Sequence, residues 1–81
     1  MISENTISVT IKFFADLTKY GPAKSIENLP EGSKIKLILE KYKIPTEKKL
    51  IILVNGRPHA DPDDFIKEGD IVAIFQPLAG G

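Results

Sequence analysis

The chain has 81 residues, with 11 basic and 11 acidic side chains, one His, and no Cys or Trp. This length corresponds to one domain with a small core. The absence of Cys excludes a disulfide framework, a thiolate metal site and a Cys nucleophile, and a single His excludes a multi-histidine metal site. Zero net charge gives no field favouring nucleic acid. No apolar run approaches the roughly 18–20 residues of a membrane span, and no signal-peptide pattern is present. We therefore expect a small soluble, cytoplasmic domain with no metal, nucleic-acid or membrane partner.

The first third of the chain predicts two strands. A strand over residues 7–14 is indicated by alternation of apolar with more polar residues, the apolar set being Ile7, Val9, Ile11 and Phe13. Phe14 interrupts the polar set, so the second face of this strand is not plainly solvated. Residues 15–23 contain Gly21-Pro22 and predict a loop. A weaker alternation predicts a second strand over residues 24–29.

One helix is predicted in the middle of the chain. Residues 30–32 favour a turn, and Ser33 follows as a suitable N-cap. Apolar residues then recur with the spacing of one helical stripe, at Ile35, Ile38, Leu39 and Tyr42. Pro45 is expected to stop the helix, because its ring disfavours helical geometry at the preceding residue.

The second half predicts further strands joined by turns. Residues 50–54 are an unbroken apolar run, and Asn55-Gly56 suits a tight turn that needs positive φ. Residues 57–60 predict a short edge piece, because Pro58 cannot donate to a ladder. Residues 61–69 predict a loop with at most one helical turn, around residues 63–66. The last strand is predicted over residues 71–75.

This order of elements predicts an α+β domain with one sheet and one helix across it. The helix covers one sheet face, and the pattern leaves the other face apolar as well. Either Ile51 and Leu53, or else Leu50, Ile52 and Val54, must point away from the helix. Exposed apolar area of this kind usually marks contact with another protein.

The chain ending is the most informative feature. It leaves an apolar strand and passes through Pro77, Leu78 and Ala79 to Gly80 and Gly81. A frayed tail is the plain alternative. Residues without side-chain bulk, however, can slide into a narrow channel, and a terminal carboxylate is a chemical handle that ATP can activate as an anhydride with AMP. The chain lacks a phosphate-binding Gly-rich loop, so a second protein would have to hold the ATP.

Other candidate sites are weaker. A calcium loop would lack its central Gly and terminal Glu ligand, so a solvated acidic loop is the better interpretation of Asp61, Asp63 and Asp64. His59 has no nucleophile to pair with, which favours a surface histidine. A modest basic patch has little aromatic interleaving for nucleic acid and could equally meet an acidic partner; it comprises Lys41, Lys43, Lys48 and Lys49.

Three segments carry a resemblance to a known family. They are residues 13–17 (FFADL), the Asn55-Gly56 turn with the Gly69-Asp70 strand entry, and residues 75–81 (FQPLAGG). Over essentially its whole length the chain resembles the ubiquitin-like sulfur carriers MoaD and ThiS, and it is closer to MoaD, the small subunit of molybdopterin synthase. The resemblance implies a β-grasp domain over residues 1–76 and a flexible Gly-Gly tail over residues 77–81.

The resemblance also implies a mechanism. An adenylating enzyme of the ubiquitin-activating type (MoeB- or ThiF-like) would attach AMP to the Gly81 carboxylate, and a persulfide donor would convert it to a thiocarboxylate. The carrier would bind no cofactor, and its partner would use ATP. Sulfur would then pass to an acceptor enzyme, most simply the large molybdopterin synthase subunit. The thiazole of thiamine, thiolation of tRNA and attachment to lysine are alternatives within the same family.

The roles implied for the ending fall on individual residues. Gly81 would react through its carboxylate, and Gly80 would supply clearance. Recognition of the tail would fall to Phe75, Pro77, Leu78 and Ala79. Gln76 stands where MoaD usually has Pro, and the segment between helix and third strand is short for MoaD, so the pathway stays open. A non-catalytic interaction module with an inert tail is the alternative from another class.

Overall fold

The computed structural model describes residues 5–45, 49–58 and 60–76, without the side chains of residues 15 and 16. It contains four strands, a 3₁₀ helix and one α-helix. In chain order these are β1 (Thr6–Phe13), the 3₁₀ helix (Ala15–Lys19), β2 (Lys24–Pro30), α1 (Ile35–Lys41), β3 (Ile51–Val54) and β4 (Ile71–Phe75). No helix in these described ranges is long and apolar enough to cross a membrane.

The strands form one mixed sheet in the order β2-β1-β4-β3. β1 and β2 form an antiparallel pair, and β3 and β4 form another. The central strands β1 and β4 run parallel, with Thr10 opposite Ile71. A parallel neighbour requires a crossover connection, and α1 lies within that connection. A mixed four-stranded sheet crossed by one helix is the β-grasp architecture, so the predicted fold class is confirmed.

The core lies between the sheet and α1. The predicted helical stripe is buried at Ile35, Ile38 and Leu39. Every second side chain of each strand packs against it, because side chains alternate between the two faces of a sheet. The strand residues that face the helix are Ile7, Val9, Ile11, Phe13, Leu29, Ile52, Val72 and Ile74. The burial of Ile52 settles the orientation left open by the sequence, because Ile51 and Leu53 must then point to the other face.

The largest element that the sequence pattern did not predict is the 3₁₀ helix. It lies within the predicted loop of residues 15–23 and places Leu17 in the core, fully buried. β1 ends at Phe13 rather than Phe14. Phe14 is left at the boundary in an extended conformation, where its ring is exposed.

Both ends of α1 differ from the prediction. Ser33 is not the N-cap, because its Oγ donates to the Pro30 carbonyl at 2.6 Å and closes the preceding turn. Lys34 occupies the cap position without a side-chain hydrogen bond. The first helical N–H groups instead find carbonyls of the loop before β4: Ile35 donates to Asp64 at 3.0 Å and Lys36 donates to Pro62 at 2.9 Å. These bonds satisfy groups that a helix start leaves without partners.

The helix also ends before the predicted stop. Its last residue is Lys41, and Lys43 adopts a left-handed φ of 59°. The Ile44 N–H then reaches back to the Leu39 carbonyl at 2.9 Å, as in helix endings with a left-handed residue after the C-cap. Pro45 therefore lies after the end of the helix and is not the residue that ends it.

The turn after β3 has the predicted geometry. Asn55 and Gly56 have positive φ values of 54° and 81°. The predicted edge piece at residues 57–60 is wrong as a strand in its described part, residues 57, 58 and 60, where an isolated bridge joins Arg57 to Val54. Residues 61–69 form a loop, as predicted, without a helical turn; within it Phe65 forms an isolated bridge with Lys34. β4 has the predicted bounds.

Candidate functional site

The chain leaves the sheet beside a pair of stacked phenyl rings. Because β1 and β4 are parallel neighbours, their carboxyl-terminal ends lie side by side at the same end of the sheet. Phe14 directly follows β1, and Phe75 is the last residue of β4. Their ring centroids lie 4.3 Å apart with planes inclined by only 8°. This stack fixes the end of β4 one residue before Gln76, the last described position.

We call the sheet surface opposite α1 the outer face; it is apolar over β3 and β4, whereas β1 contributes the polar side chains of Thr6, Ser8, Thr10 and Lys12. Its apolar residues are Ile26, Ile51, Leu53, Ile71, Ala73 and Phe75, with Phe14 at the margin. Four of these are among the exposed large hydrophobic residues, at 68% for Ile26, 41% for Ile71, 39% for Phe14 and 37% for Ile51. Such a surface is typical of protein contact sites.

Two lysines lie on the same face. In the β1–β2 register Lys12 stands opposite Lys24, and in the β1–β4 register Lys12 stands opposite Ala73. An apolar surface that contains ammonium groups matches a partner surface with apolar residues and carboxylates. The outer face and the tail exit are continuous, because Phe75 belongs to both.

The predicted site residues divide at the end of β4. Phe75 is the last residue of β4, at the exit of the chain, and its role in tail recognition stays a prediction. Pro77, Leu78, Ala79, Gly80 and Gly81 lie outside the described residues, so their roles stay predictions. Two contributors were not assigned from the sequence, Phe14 and Ile26. The signal for Phe14 was its break of the polar alternation in β1, whereas the signal for Ile26 was its place in the weak alternation of β2.

A second cluster joins the end of α1 to β2 on the helix side of the sheet. The Tyr42 hydroxyl donates to Glu27 Oε2 at 2.5 Å and lies 3.0 Å from Ser25 Oγ. Its ring packs edge-on against Phe13, with centroids 5.0 Å apart. Burial, followed by the hydrogen bond to Glu27, raises the pKa of Tyr42 above its ordinary value of 10.0. Lys41 Nζ completes the cluster 3.4 Å from the Glu27 carboxylate. A neutral tyrosine held in this way is a structural link.

The acidic loop uses its carboxylates on its own backbone. The Asp63 N–H donates to Asp61 Oδ1, and the Asp61 N–H donates to Asp64 Oδ2, both at 2.9 Å. Lys36 lies 3.6 Å from Asp63. The described part of the chain contains no group of three or more potential metal ligands. His59 and Lys48 lie outside the described residues.

A cavity of about 530 Å³ lies at the opposite end of β4 from the tail exit, and its lining includes Asn55, Arg57, Phe65, Lys67 and Asp70. The Asp70 carboxylate is already occupied, since it accepts from Asn55 Nδ2 at 2.9 Å and from the Lys67 N–H at 2.8 Å. The contacts of Asp70 in this cavity therefore stabilise the turns before β4.

Comparisons with known proteins agree with this geometry. The model of the ThiS family matches residues 11–81. No curated protein sequence matches the chain. Among solved structures, molybdopterin converting factor subunit 1 from Pyrococcus furiosus is 28% identical, with a TM-score of 0.74 over 89% of this chain and 99% of that one. The HVO 2177 protein of Haloferax volcanii is 21% identical, with a TM-score of 0.81 over 100% of this chain and 92% of that one.

A third similar structure contains two proteins. It is the complex of subunits 1 and 2 of molybdopterin-converting factor from Helicobacter pylori, 18% identical, with a TM-score of 0.61 over 93% of this chain and 100% of that one. The fold and the tail exit define a ubiquitin-like protein of the β-grasp class. Because the family match spans most of its length, the chain belongs to the ThiS family.

Proposed function

We propose that this chain is a cytoplasmic sulfur carrier that reacts through the carboxylate of Gly81 and serves molybdopterin biosynthesis. The observation that carries the proposal is the apolar, aromatic surface that leads directly into the tail exit, where Phe14 stacks on Phe75. The family match through residue 81 supports it, as does the 28% identity to a molybdopterin converting factor subunit.

The proposed chemistry has three balanced steps. A Gly81 carboxylate oxygen attacks the α-phosphorus of ATP, pyrophosphate leaves, and an acyl-adenylate forms. The terminal sulfur of a persulfide then attacks the carbonyl carbon and displaces AMP. Finally a thiol cleaves the sulfur–sulfur bond of this acyl disulfide and is oxidised to a disulfide, which leaves the thiocarboxylate. An adenylating enzyme of the ubiquitin-activating type supplies the ATP site.

In this proposal the chain docks the partner and positions the tail, and none of its side chains takes part in the reaction. The outer face docks the partner, the stacked rings fix where the tail begins, and Gly80 leaves room for the partner's narrow channel. The acceptor would be a second subunit, as in the two-subunit Helicobacter pylori complex. Binding of adenylating enzyme and acceptor in turn to one face would explain why that face stays exposed in the chain alone.

Intact-mass measurement tests the carrier chemistry. The chain is incubated with its source organism's adenylating enzyme, ATP and a persulfide donor. We expect first an AMP adduct and then a gain equal to the mass difference between sulfur and oxygen. A chain lacking Gly81 should show neither change, and Gly81→Ala should react more slowly because a methyl group must pass the channel. No adduct with a competent enzyme, or an adduct that persists without Gly81, refutes the proposal.

A matched pair of variants tests the docking surface. Phe75→Ala removes a ring of the outer face, whereas Phe65→Ala removes a ring that is 63% exposed in the loop before β4. An aromatic hot spot costs about 2 kcal/mol or more, so Phe75→Ala should slow adenylation by roughly thirtyfold or more. Phe65→Ala should leave the rate unchanged. Equal effects of the two variants would remove the outer face from the mechanism.

Protein modification is a second candidate, because small archaeal modifier protein 1 of Haloferax volcanii shares the fold at 21% identity and a TM-score of 0.73. In that case a lysine Nζ attacks the activated terminus and displaces AMP, and an amide forms in place of the thiocarboxylate. The mass assay separates the two routes, since only ligation joins the chain to a second protein. An inert interaction module would give no AMP adduct.

A further inference from the structure

The two edges of the sheet differ in how far their backbone groups are already used. The outer edge of the four-residue strand β3 is partly covered by its own chain. Val54 exchanges two hydrogen bonds of 3.0 Å with Arg57, and the Ile52 carbonyl accepts from Ala60 at 2.9 Å. The other edge strand, β2, has seven residues, and among the described strands only β1 pairs with it. β2 is therefore the open edge.

The register identifies which backbone groups of β2 have no strand beside them. The Phe13 N–H donates to the Ala23 carbonyl, and the Glu31 N–H donates to the Asn5 carbonyl. These bonds bracket a ladder without bulges, and hydrogen-bonded pairs alternate along an antiparallel ladder. Odd-numbered residues of β2 therefore bond to β1. The N–H and C=O groups that point away from the sheet belong to Lys24, Ile26 and Asn28.

The side chain at the centre of this edge is apolar and uncovered. Ile26 is 68% exposed, more than the other exposed large hydrophobic residues of the described ranges. Edge strands are commonly protected by charge, proline or a bulge. On the outer face of β2 the charged residue, Lys24, lies at the start of the strand. The middle is therefore left open to pairing.

We propose that β2 pairs antiparallel with β2 of a second copy of this chain, about a two-fold axis at Ile26. Ile26 of each copy then exchanges both backbone hydrogen bonds with its counterpart, and Lys24 pairs with Asn28 on either side. The two isoleucines cover each other on the outer face. The result is one continuous sheet of two domains, in which α1 of both copies lies on the same side.

Charge excludes two neighbouring registers, and the burial of Ile26 against its own counterpart favours this one and a second copy as the occupant. Centring the axis on Lys24 would set lysine directly opposite lysine, and centring it on Glu27 would set glutamate opposite glutamate, both destabilising arrangements. Centring it on Ile26 sets Lys24 opposite the amide of Asn28. On the helix side Glu27 faces Ser25 of the other copy. Among the registers without opposed like charges, the one centred on Ile26 sets the two exposed isoleucines directly against each other.

Sedimentation equilibrium of the intact chain tests the proposal. An interface this small predicts a weak dimer, with a Kd of about 10 µM to 1 mM. Ile26→Lys sets two lysines against each other and removes the apolar contact, so it should weaken association by about tenfold or more. Phe65→Lys is the matched control and should leave the Kd unchanged, because Phe65 is similarly exposed at 63% and lies outside β2.

Cross-linking gives an independent measurement in a chain that has no Cys. Cα atoms of a hydrogen-bonded antiparallel pair lie about 5.5 Å apart, within the range that a disulfide spans. Under mild oxidation Ile26→Cys should form a disulfide dimer much faster than Phe65→Cys. The proposal would be overturned by a chain that stays monomeric at about 1 mM, by a dimer whose Kd is insensitive to Ile26→Lys, or by equal cross-linking rates of the two Cys variants. It would also be overturned if this edge bound only an unrelated strand.

Discussion

A single added methyl group at Gly21 should destabilise the domain. Gly21 lies in the loop before β2, against the rings of Phe13 and Tyr42. A Cβ at this position would lie 2.9 Å from Phe13 Cε2 and 2.9 Å from both Tyr42 Cδ1 and Cε1. Phe13 is buried, and the Tyr42 ring is held by its hydroxyl hydrogen bond to Glu27. Neither ring is the free end of a flexible chain, so the clash cannot be relieved by a local rotation.

Two opposing effects set the magnitude. Replacing Gly by Ala usually stabilises by about 0.4–1 kcal/mol, because the unfolded chain loses freedom. Overpacking costs about 1–3 kcal/mol when rings or backbone must shift. Since the clash involves two rings, we expect overpacking to win by about 0.5–2 kcal/mol. For a domain of this size each 1 kcal/mol lowers the Tm by roughly 4–8 °C.

Urea unfolding followed by circular dichroism measures this cost in a double-mutant cycle. Tyr42→Ala removes one of the two rings, so Gly21→Ala should cost less in that background than in the wild type. Gly32→Ala is the control for a cost that does not come from a steric clash. An added Cβ there meets nothing within 4 Å, and the φ of +87° lowers the free energy of unfolding through backbone strain alone. A neutral or stabilising Gly21→Ala, or an equal cost in both backgrounds, would refute the steric reasoning.

Three further predictions concern named contacts. Burial raises the pKa of Tyr42 above 10.0, so the free energy of unfolding should fall as the pH rises from about 10 through the folded pKa, and this component should be missing from Tyr42→Phe. Asn55→Ala should lower the free energy of unfolding by about 1–3 kcal/mol, because side-chain hydrogen bonds are lost and alanine disfavours the left-handed backbone. Asn55→Gly should lower it by about 1 kcal/mol less, and equal losses would rule out backbone strain. A double-mutant cycle of Phe14→Ala and Phe75→Ala, measured by urea unfolding, should give a coupling of about 0.5–1.5 kcal/mol, and additive costs would show that the stack contributes nothing.

Periodicity was sufficient to predict the sheet and the helix. β4 has the predicted bounds, and the stripe through Ile35, Ile38 and Leu39 faces the core as expected. The same patterns indicated that the second face of the sheet is apolar as well, which is so over β3 and β4 but not over β1. They could not tell which residues of β3 face outwards, because a run of consecutive apolar side chains has no alternation. Burial of Ile52 against α1 was required for that.

The errors arose where tertiary contacts override local preference. Ser33 has the composition of an N-cap, but its hydroxyl closes a turn while carbonyls of Pro62 and Asp64 receive the helical N–H groups. These carbonyls are 29 and 26 residues further along the chain than the N–H groups that they accept from, so no local pattern reports them. Ile26 was missed as a surface feature for a similar reason. Its exposure depends on β2 being an edge strand, which is a property of the sheet order.

The absence of Cys constrains how the proposed function can work. When the sulfur is carried by a main-chain terminus, the position of that terminus decides where the sulfur can react. Residues 77–81, fully extended, would span at most about 18 Å. A partner docked on the outer face must therefore present the α-phosphate of its ATP within about that distance of Gln76. The stack of Phe14 on Phe75 fixes where the tail begins relative to the outer face. The contact of the partner with that face would therefore limit where the Gly81 carboxylate can reach.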